Sequence, residues 1–332
     1  MRTDTKEGEA FSRPGAVSKA SGSRSSDSAV RWHAGSLNNG LIFGLTYHLV
    51  TRLPRAGSYA IGHAGTWLAY HLMREGTRAV VGNLRVVRPD ATERELKRLA
   101  LLTYRSYGRD TIDFIRSLGL SRAEFEPMMA GLDSGVLAEL LAQGRGVVIV
   151  GGHFGNWELA GVALRLMHGY PLTVIGKSEA SPAVGAIRRR MRESLGIETI
   201  EIGRMLETAL RIRSLLAANG IVAMLLDRHL GRDRIDVTFF GRPAGFLRTP
   251  AMIGYLSGAP LLPAFMIRQA DNRFVAALGD PILVDSTKPT EDAVRAATQA
   301  FAAQLEDRIR ANPQLWYQFY PYWRTAGATQ DT

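Results

Sequence analysis

The run GVVIVGGHFGNWELAG, Gly146 to Gly161, sets an imidazole (His153) five residues ahead of a carboxylate (Glu158), just after a short apolar strand and two glycines. On a continuous helix, residues five apart diverge by about 140° and do not meet. They meet at a strand-to-helix junction, with His153 in the turn and Asn156 capping a helix whose first turn carries Glu158. There Glu158 accepts a hydrogen bond from one ring nitrogen, fixes the tautomer and raises the basicity of the other nitrogen. The second nitrogen then acts as a general base toward a hydroxyl. Gly151, Gly152 and Gly155 keep the turn open, and the N–H groups at the helix start, from Gly155 to Trp157, or an arginine, offer a place for a developing oxyanion.

The same residues admit plainer readings. A histidine in a loop is commonly solvated or structurally bonded, and two glycines after a strand make a tight turn. The run has neither the G-x-G-x-x-G order of a dinucleotide site nor the Lys-Ser/Thr of a P-loop. A metal site has little support, since only His168 lies nearby and no H-E-x-x-H spacing occurs. A hydrolase of the nucleophile-elbow type is disfavoured because no G-x-S-x-G appears.

The surrounding pattern supplies the elements that would hold such a turn. Apolar runs at 147–150, 172–176, 197–202, 221–226, 235–240, 261–268 and 273–278 read as strands. Helices are expected at about 91–118, 135–143, 156–167, 184–195, 205–218, 249–258 and 290–310. Strands alternating with helices predict an α/β fold: a mixed central sheet flanked by helices on both faces, with an antiparallel pair late in the chain. Asp227 and Arg228 follow a buried-type strand, at the carboxyl end where open α/β sheets build sites. Arg188 and Arg192 are one turn apart and flank the stripe Val184, Ile187, Met191 and Leu195, whereas Arg189 and Arg190 point away. Asp227 with Arg228 also reads as a structural ion pair, and the arginine helix as a solvated or docking face.

The chain has 332 residues and is 46% hydrophobic, enough for a large core. It lacks cysteine, so disulfides, thiolate metal sites and cysteine nucleophiles are excluded. Its formal charge is +10, carried almost wholly by arginine, since the lysines are Lys6, Lys19, Lys97, Lys177 and Lys288. Arginine forks suit phosphate or carboxylate, which points to an anionic lipid surface, a phosphorylated substrate, an acidic carrier protein or nucleic acid. Residues 1–35 read as a disordered tail without a secretory signal. Residues 36–80 hold two apolar, aromatic segments (37–53 and 58–73) that fall short of the roughly 20 uninterrupted apolar residues of a spanning helix. Arg52, Arg55, Arg74 and Arg78 bracket the second segment, with Tyr59, Trp67 and Tyr70 inside it. This suits a helical membrane-associating segment lying in an interface, and equally a helical hairpin packed on the main domain at 81–325.

Four blocks in order carry a family likeness. GGHFGNWELAG resembles the His-x-x-x-x-Asp/Glu motif of the late lipid A acyltransferases and the related phosphatidylinositol mannoside acyltransferases, within the lysophospholipid acyltransferase superfamily. RRRMRESLG (188–196) resembles that family's arginine-rich helix, LLDRHLGRDRIDVTFFGRPAG (225–245) its acidic block followed by Phe-Phe-Gly, and NPQLWYQFYPYW (312–323) its Pro-x-x-Trp tail. The chain departs in two places: Glu158 stands where aspartate is commoner, and His229 where a second acid is common.

The resemblance implies transfer of a fatty acyl chain from acyl carrier protein or coenzyme A to a hydroxyl of a glycolipid or phospholipid, a lipid A precursor for example. It implies a place on the cytoplasmic face of a bacterial inner membrane, His153 as base and Glu158 as its partner. Arg188, Arg192, Asp227, Arg228, Gly155 and Asn156 are then expected to bind substrate. The expected partners are a membrane lipid acceptor, the acyl donor and an anionic membrane surface, with no nucleic acid, metal or cofactor. A non-catalytic basic membrane- or nucleic-acid-binding protein is the rival.

Overall fold

A computed structural model of the chain describes residues 40–132, 134–176, 182–202 and 205–323. The expected tail at 1–35 lies outside the described residues. Three helices lead: α1 (Gly40–Arg52), α2 (Arg55–Leu72) and α3 (Arg74–Val87), followed by the long α4 (Glu93–Ser117) and the single-turn α5 (Arg122–Phe125). The α4 start is fixed by a reciprocal capping box: the Thr92 hydroxyl accepts from the Glu95 N–H and the Glu95 carboxylate from the Thr92 N–H. Then come β1 (Met129–Leu132), α6 (Gly135–Leu141), β2 (Val147–Gly151), α7 (Trp157–His168), β3 (Leu172–Gly176), α8 (Pro182–Ser194), β4 (Ile197–Glu201), α9 (Met205–Ala217) and β5 (Ile221–Leu225). The remainder is β6 (Ile235–Phe239), β7 (Arg242–Phe246), α10 (Thr249–Ser257), β8 (Leu261–Arg268), β9 (Phe274–Leu278) and α11 (Thr290–Ala311).

Seven strands form one sheet in the order β1-β9-β8-β2-β5-β3-β4. Strands β8, β2, β5, β3 and β4 run parallel, and β9 is antiparallel to β8. The expected mixed sheet with a late antiparallel pair is therefore present. The central strands are covered on both faces, as their unbroken apolar runs require. Val148, Val150, Val222 and Met224 pack with Ile212 and Leu216 of α9 and Phe301 and Leu305 of α11. The intervening Val147, Ile149 and Ile221 pack with Leu137 and Leu140 of α6 and Leu164 of α7.

Two strands escaped the sequence pattern. β7 contains Pro243 and Gly245, poor strand residues, and forms only a two-stranded hairpin with β6, where a missing N–H is tolerated at an edge. β1 is short and pairs in parallel with β9, about 145 residues downstream, so nothing local announces it.

The apolar segments at 37–53 and 58–73 are helical from Gly40 to Arg52 and as far as Leu72, and no described helix is long and apolar enough to cross a membrane. A buried polar cluster joins α2 to the sheet. Asp113 on α4 accepts from the Tyr59 hydroxyl of α2 and pairs with Arg268 of β8 (2.6 Å), which also pairs with Asp110 (2.6 Å). Tyr317 donates its hydroxyl to Asp110 at 2.6 Å, tying in the C-terminal segment. Burial pushes the Asp110 carboxyl up and outweighs Arg268 and the Tyr317 hydroxyl, which favour its ionised form.

Candidate active site

β2 and β5 are adjacent and parallel, with Gly151 paired to Leu225. Two residues beyond each lie His153 and Asp227. The register of two neighbouring strands thus delivers an imidazole and a carboxylate side by side at their carboxyl ends. Nδ1 of His153 lies 2.6 Å from Oδ1 of Asp227, and the His153 backbone N–H donates to Oδ2 at 2.9 Å. Asp227 is fully buried. Burial alone would push its carboxyl up, but the His153 charge, the His153 hydrogen bonds and Arg228 outweigh it and hold the carboxyl below its ordinary range. Donors from the C-terminal strap, residues 315–323, complete its surroundings.

The expected hydrogen bond from His153 to Glu158 is corrected by this geometry, because the imidazole nitrogen held by a carboxylate goes to Asp227. Glu158 does sit in the first turn of α7, behind the Asn156 cap, whose Oδ1 accepts from the Leu159 N–H. Its carboxylate faces α8. Arg192 donates to it twice, from Nη2 at 2.6 Å and Nε at 3.2 Å, and Arg188 pairs with it at 3.6 Å. A fork of this kind competes better for a carboxylate than one ring N–H. Burial would push Glu158 up, yet Arg192, Arg188 and then His153 hold it below the usual range, so His153 acts on it through space. Arg189 turns outward to Glu201.

Gly155 and Asn156 have other tasks than the oxyanion contact expected of their N–H groups. The Gly155 N–H donates to the Leu315 carbonyl (2.8 Å) and that of Asn156 to the Met266 carbonyl (3.0 Å). Gly155 has φ of +61°, and a Cβ there would lie 2.1 Å from the Met266 oxygen. Only glycine fits. Gly152 likewise allows close approach rather than an open turn, since a Cβ would meet Leu305 at 3.0 Å and the Asp227 carboxyl carbon at 3.4 Å. The Asn156 amide also donates to the Asp110 carbonyl, anchoring the turn to α4.

Arg228, also expected to bind substrate, turns to the strap. It donates to the Tyr317 carbonyl (2.7 Å) and the Gln318 side-chain oxygen (3.0 Å) and lies over the Tyr320 ring. Phe239 and Trp316 are buried in the main core, each against the other's ring and those of Tyr322 and Trp323. Trp157 stands edge-on to the imidazole at 5.3 Å. Among the described residues no cluster of His, Asp and Glu has a metal-holding arrangement.

A His–Asp pair at the strand ends, its carboxylate buried and its imidazole partly exposed, next to a carboxylate gripped by two arginines, is a place for base chemistry beside an anionic group. The family model for bacterial lipid A biosynthesis acyltransferases matches residues 31–325. The chain belongs to that family. The chain is similar to a phosphatidylinositol mannoside acyltransferase of Mycobacterium tuberculosis, 29% identical over 266 residues, 77% of this chain and 79% of its own length. One from Mycolicibacterium smegmatis is 26% identical over 283 residues, covering 83% and 88% of the two chains. The chain is an acyltransferase, and the four sequence blocks that suggested this family lie within the matched span.

Sequence reasoning put Asp227 among the substrate-binding residues and missed its pairing with His153. The available signal was positional, since both residues follow the ends of buried strands. Sequence did not say that β2 and β5 are neighbours.

Proposed function

We propose that this acyltransferase moves a fatty acyl chain from a thioester donor, acyl carrier protein or acyl coenzyme A, to a hydroxyl of a membrane glycolipid, with His153 as general base and Asp227 as the group that orients it. The observation that carries the reading is the 2.6 Å contact between His153 Nδ1 and Asp227. A carboxylate on Nδ1 fixes the tautomer, so base chemistry falls to Nε2. Nε2 removes the proton of the acceptor hydroxyl as its oxygen attacks the thioester carbonyl. The C–O bond forms, the imidazolium is stabilised by Asp227, and collapse breaks the C–S bond while the imidazolium returns the proton to the leaving thiolate. Each atom and charge is accounted for without a covalent acyl-enzyme or an added cofactor.

The negative oxygen of the tetrahedral intermediate is stabilised by Arg192 or Arg188, which their contacts with Glu158 hold beside the turn. Glu158 is thereby a second carboxylate that favours the imidazolium through space and aligns the arginines. Substrate phosphates would meet the same arginine pair.

Two acceptor classes fit, a lipid A precursor and a phosphatidylinositol mannoside. Similarity to the mannoside acyltransferases supports the second. Association with the cytoplasmic face of an anionic membrane is supported by exposed apolar residues on α1 and α2, namely Leu45, Ile61, Trp67, Leu68 and Leu72, with Arg52, Arg74 and Arg78 exposed around them.

The test incubates purified wild type and His153→Ala with isotope-labelled acyl carrier protein or acyl coenzyme A and each acceptor class, with products read by mass spectrometry. A labelled glycolipid made by wild type and lost in the variant is expected. Equal turnover by both proteins overturns the assignment of His153.

A further inference from the structure

Asp227 Oδ1 faces the imidazole, and Oδ2 is occupied three times over. Besides the His153 backbone N–H, it accepts from the Trp316 indole at 3.2 Å and from the Gln318 side-chain amide at 2.7 Å. Gln318 is 1% exposed, so this bond is made away from water. Its amide orientation is dictated by a neighbour. Arg228 has only donors and lies 3.0 Å from the Gln318 side-chain oxygen, so the Gln318 NH2 must face Asp227. The backbone carrying Gln318 is in turn clamped from α3, 235 residues earlier. The buried Asn83 amide donates to the carbonyls of Gln318 (3.1 Å) and Tyr320 (2.8 Å), and its oxygen accepts from the Tyr322 N–H (2.9 Å). These three bonds use both donors and the acceptor of one amide on the five residues from Gln318 to Tyr322.

We infer that Gln318 and Asn83 are positioning residues for the His153–Asp227 pair: Gln318 fixes which Asp227 oxygen meets the imidazole, and Asn83 clamps the strap that carries Gln318. Neither side chain touches a reacting atom. The inference rests on His153 and Asp227 acting as proposed, and it adds that the pair works only while the strap is docked. A carboxylate with one oxygen saturated by fixed donors cannot turn its other oxygen away from Nδ1 without losing hydrogen bonds to a charged group.

The informative variant is Gln318→Glu, which keeps the volume and the acceptor for Arg228 and replaces only the donor. When protonated, the introduced carboxyl donates to Oδ2 as the amide does; when ionised, it repels Asp227. Its partners are Asp227 and Arg228, and His153, Tyr320 and Tyr322 interact with those two. Burial and Asp227 raise its pKa, while Arg228 and a charged His153 lower it.

The measurement uses the full chain labelled with 15N-histidine, the His153 signals being assigned by their loss in His153→Ala, with kcat and KM determined across pH. In wild type, the ring-nitrogen shifts should report the Nδ1–H tautomer. In Gln318→Glu, compared with wild type at pH values where His153 is neutral in both, that signature should be lost as the introduced carboxyl ionises, with kcat at neutral pH down about 10- to 100-fold and the donor KM unchanged. Asn83→Asp, which removes two donors, should lower kcat in the same direction. If Gln318→Glu keeps the wild-type tautomer and kcat at every pH, or loses only thermal stability, the positioning role is wrong. If His153→Ala keeps its turnover, the dyad reading fails instead, and the nitrogen shifts still decide whether Gln318 orients Asp227.

Discussion

Nδ1 of His153 and Oδ1 of Asp227, 74 residues apart in the chain, sit 2.6 Å apart because their strands are hydrogen-bonded neighbours in register. Asp227→Asn is therefore the first substitution of consequence. The amide keeps the shape but can present its NH2 to Nδ1, favouring the wrong tautomer. Turnover should fall about 100- to 10,000-fold, as for a lost general base, with little change in donor KM. Steady-state kinetics across pH checks this, and wild-type kcat in Asp227→Asn would return the orienting role to Glu158.

Glu158 and Asp227 make a pH prediction of defined sign. Both carboxyls are held below their ordinary range, so their contribution to stability is fully present above the unfolded value of about 4 and is lost as pH falls through the folded value. Asp110, raised by burial, titrates with the opposite sign. The comparison is hence made between proteins: urea midpoints of wild type should drop more steeply below about pH 5 than those of Glu158→Gln. Parallel curves would mean that the Arg188–Arg192 fork contributes nothing to folding.

Gly155→Ala tests the backbone of the turn. A left-handed φ costs a non-glycine residue roughly 1–3 kcal/mol, and the Met266 carbonyl must also move away from the new methyl group. The expected result is a lower unfolding free energy by at least about that amount, with the Asn156 N–H bond to Met266 weakened and turnover reduced. Unchanged denaturation would show that the turn relaxes.

Arg268→Met removes the cation between Asp110 and Asp113. Asp110 then has no cation and Asp113 keeps only the partly exposed Arg55, a loss of about 3–5 kcal/mol by the usual cost of breaking a buried ion pair. Chemical denaturation measures it. The triple change Arg268→Met, Asp110→Asn, Asp113→Asn should recover much of the loss, since no buried charge is stranded. Failure to recover would assign the cost to packing against Phe274, over whose ring Arg268 lies at 4.4 Å.

The α2 face predicts vesicle binding. Trp67→Asp with Leu68→Asp changes side chains that are about half exposed (49% and 50%), so the fold should be unaffected while co-flotation with anionic vesicles falls several-fold. Equal flotation of both proteins would remove α2 from the membrane-facing surface.

Local signals in the sequence determined much of this protein. Apolar runs of four to six residues with glycine at one end or both specified β2, β3 and β5 nearly to the residue, and Asn156 marked a helix start because capping depends on a neighbour three residues away. His153 in a strand-to-helix turn, and Arg188 and Arg192 flanking one apolar stripe, were legible for the same reason. What only the tertiary structure decided is who meets whom. Glu158 is near His153 in sequence, but helix α7 carries its carboxylate to α8, where two guanidinium groups hold it more strongly than an imidazole could. Asp227, Gln318 and Asn83 come together from three distant segments through strand order and strap docking, and no local pattern encodes either. Hydrogen bonds across such separations depend on the packing of the whole sheet, which composition and periodicity leave open.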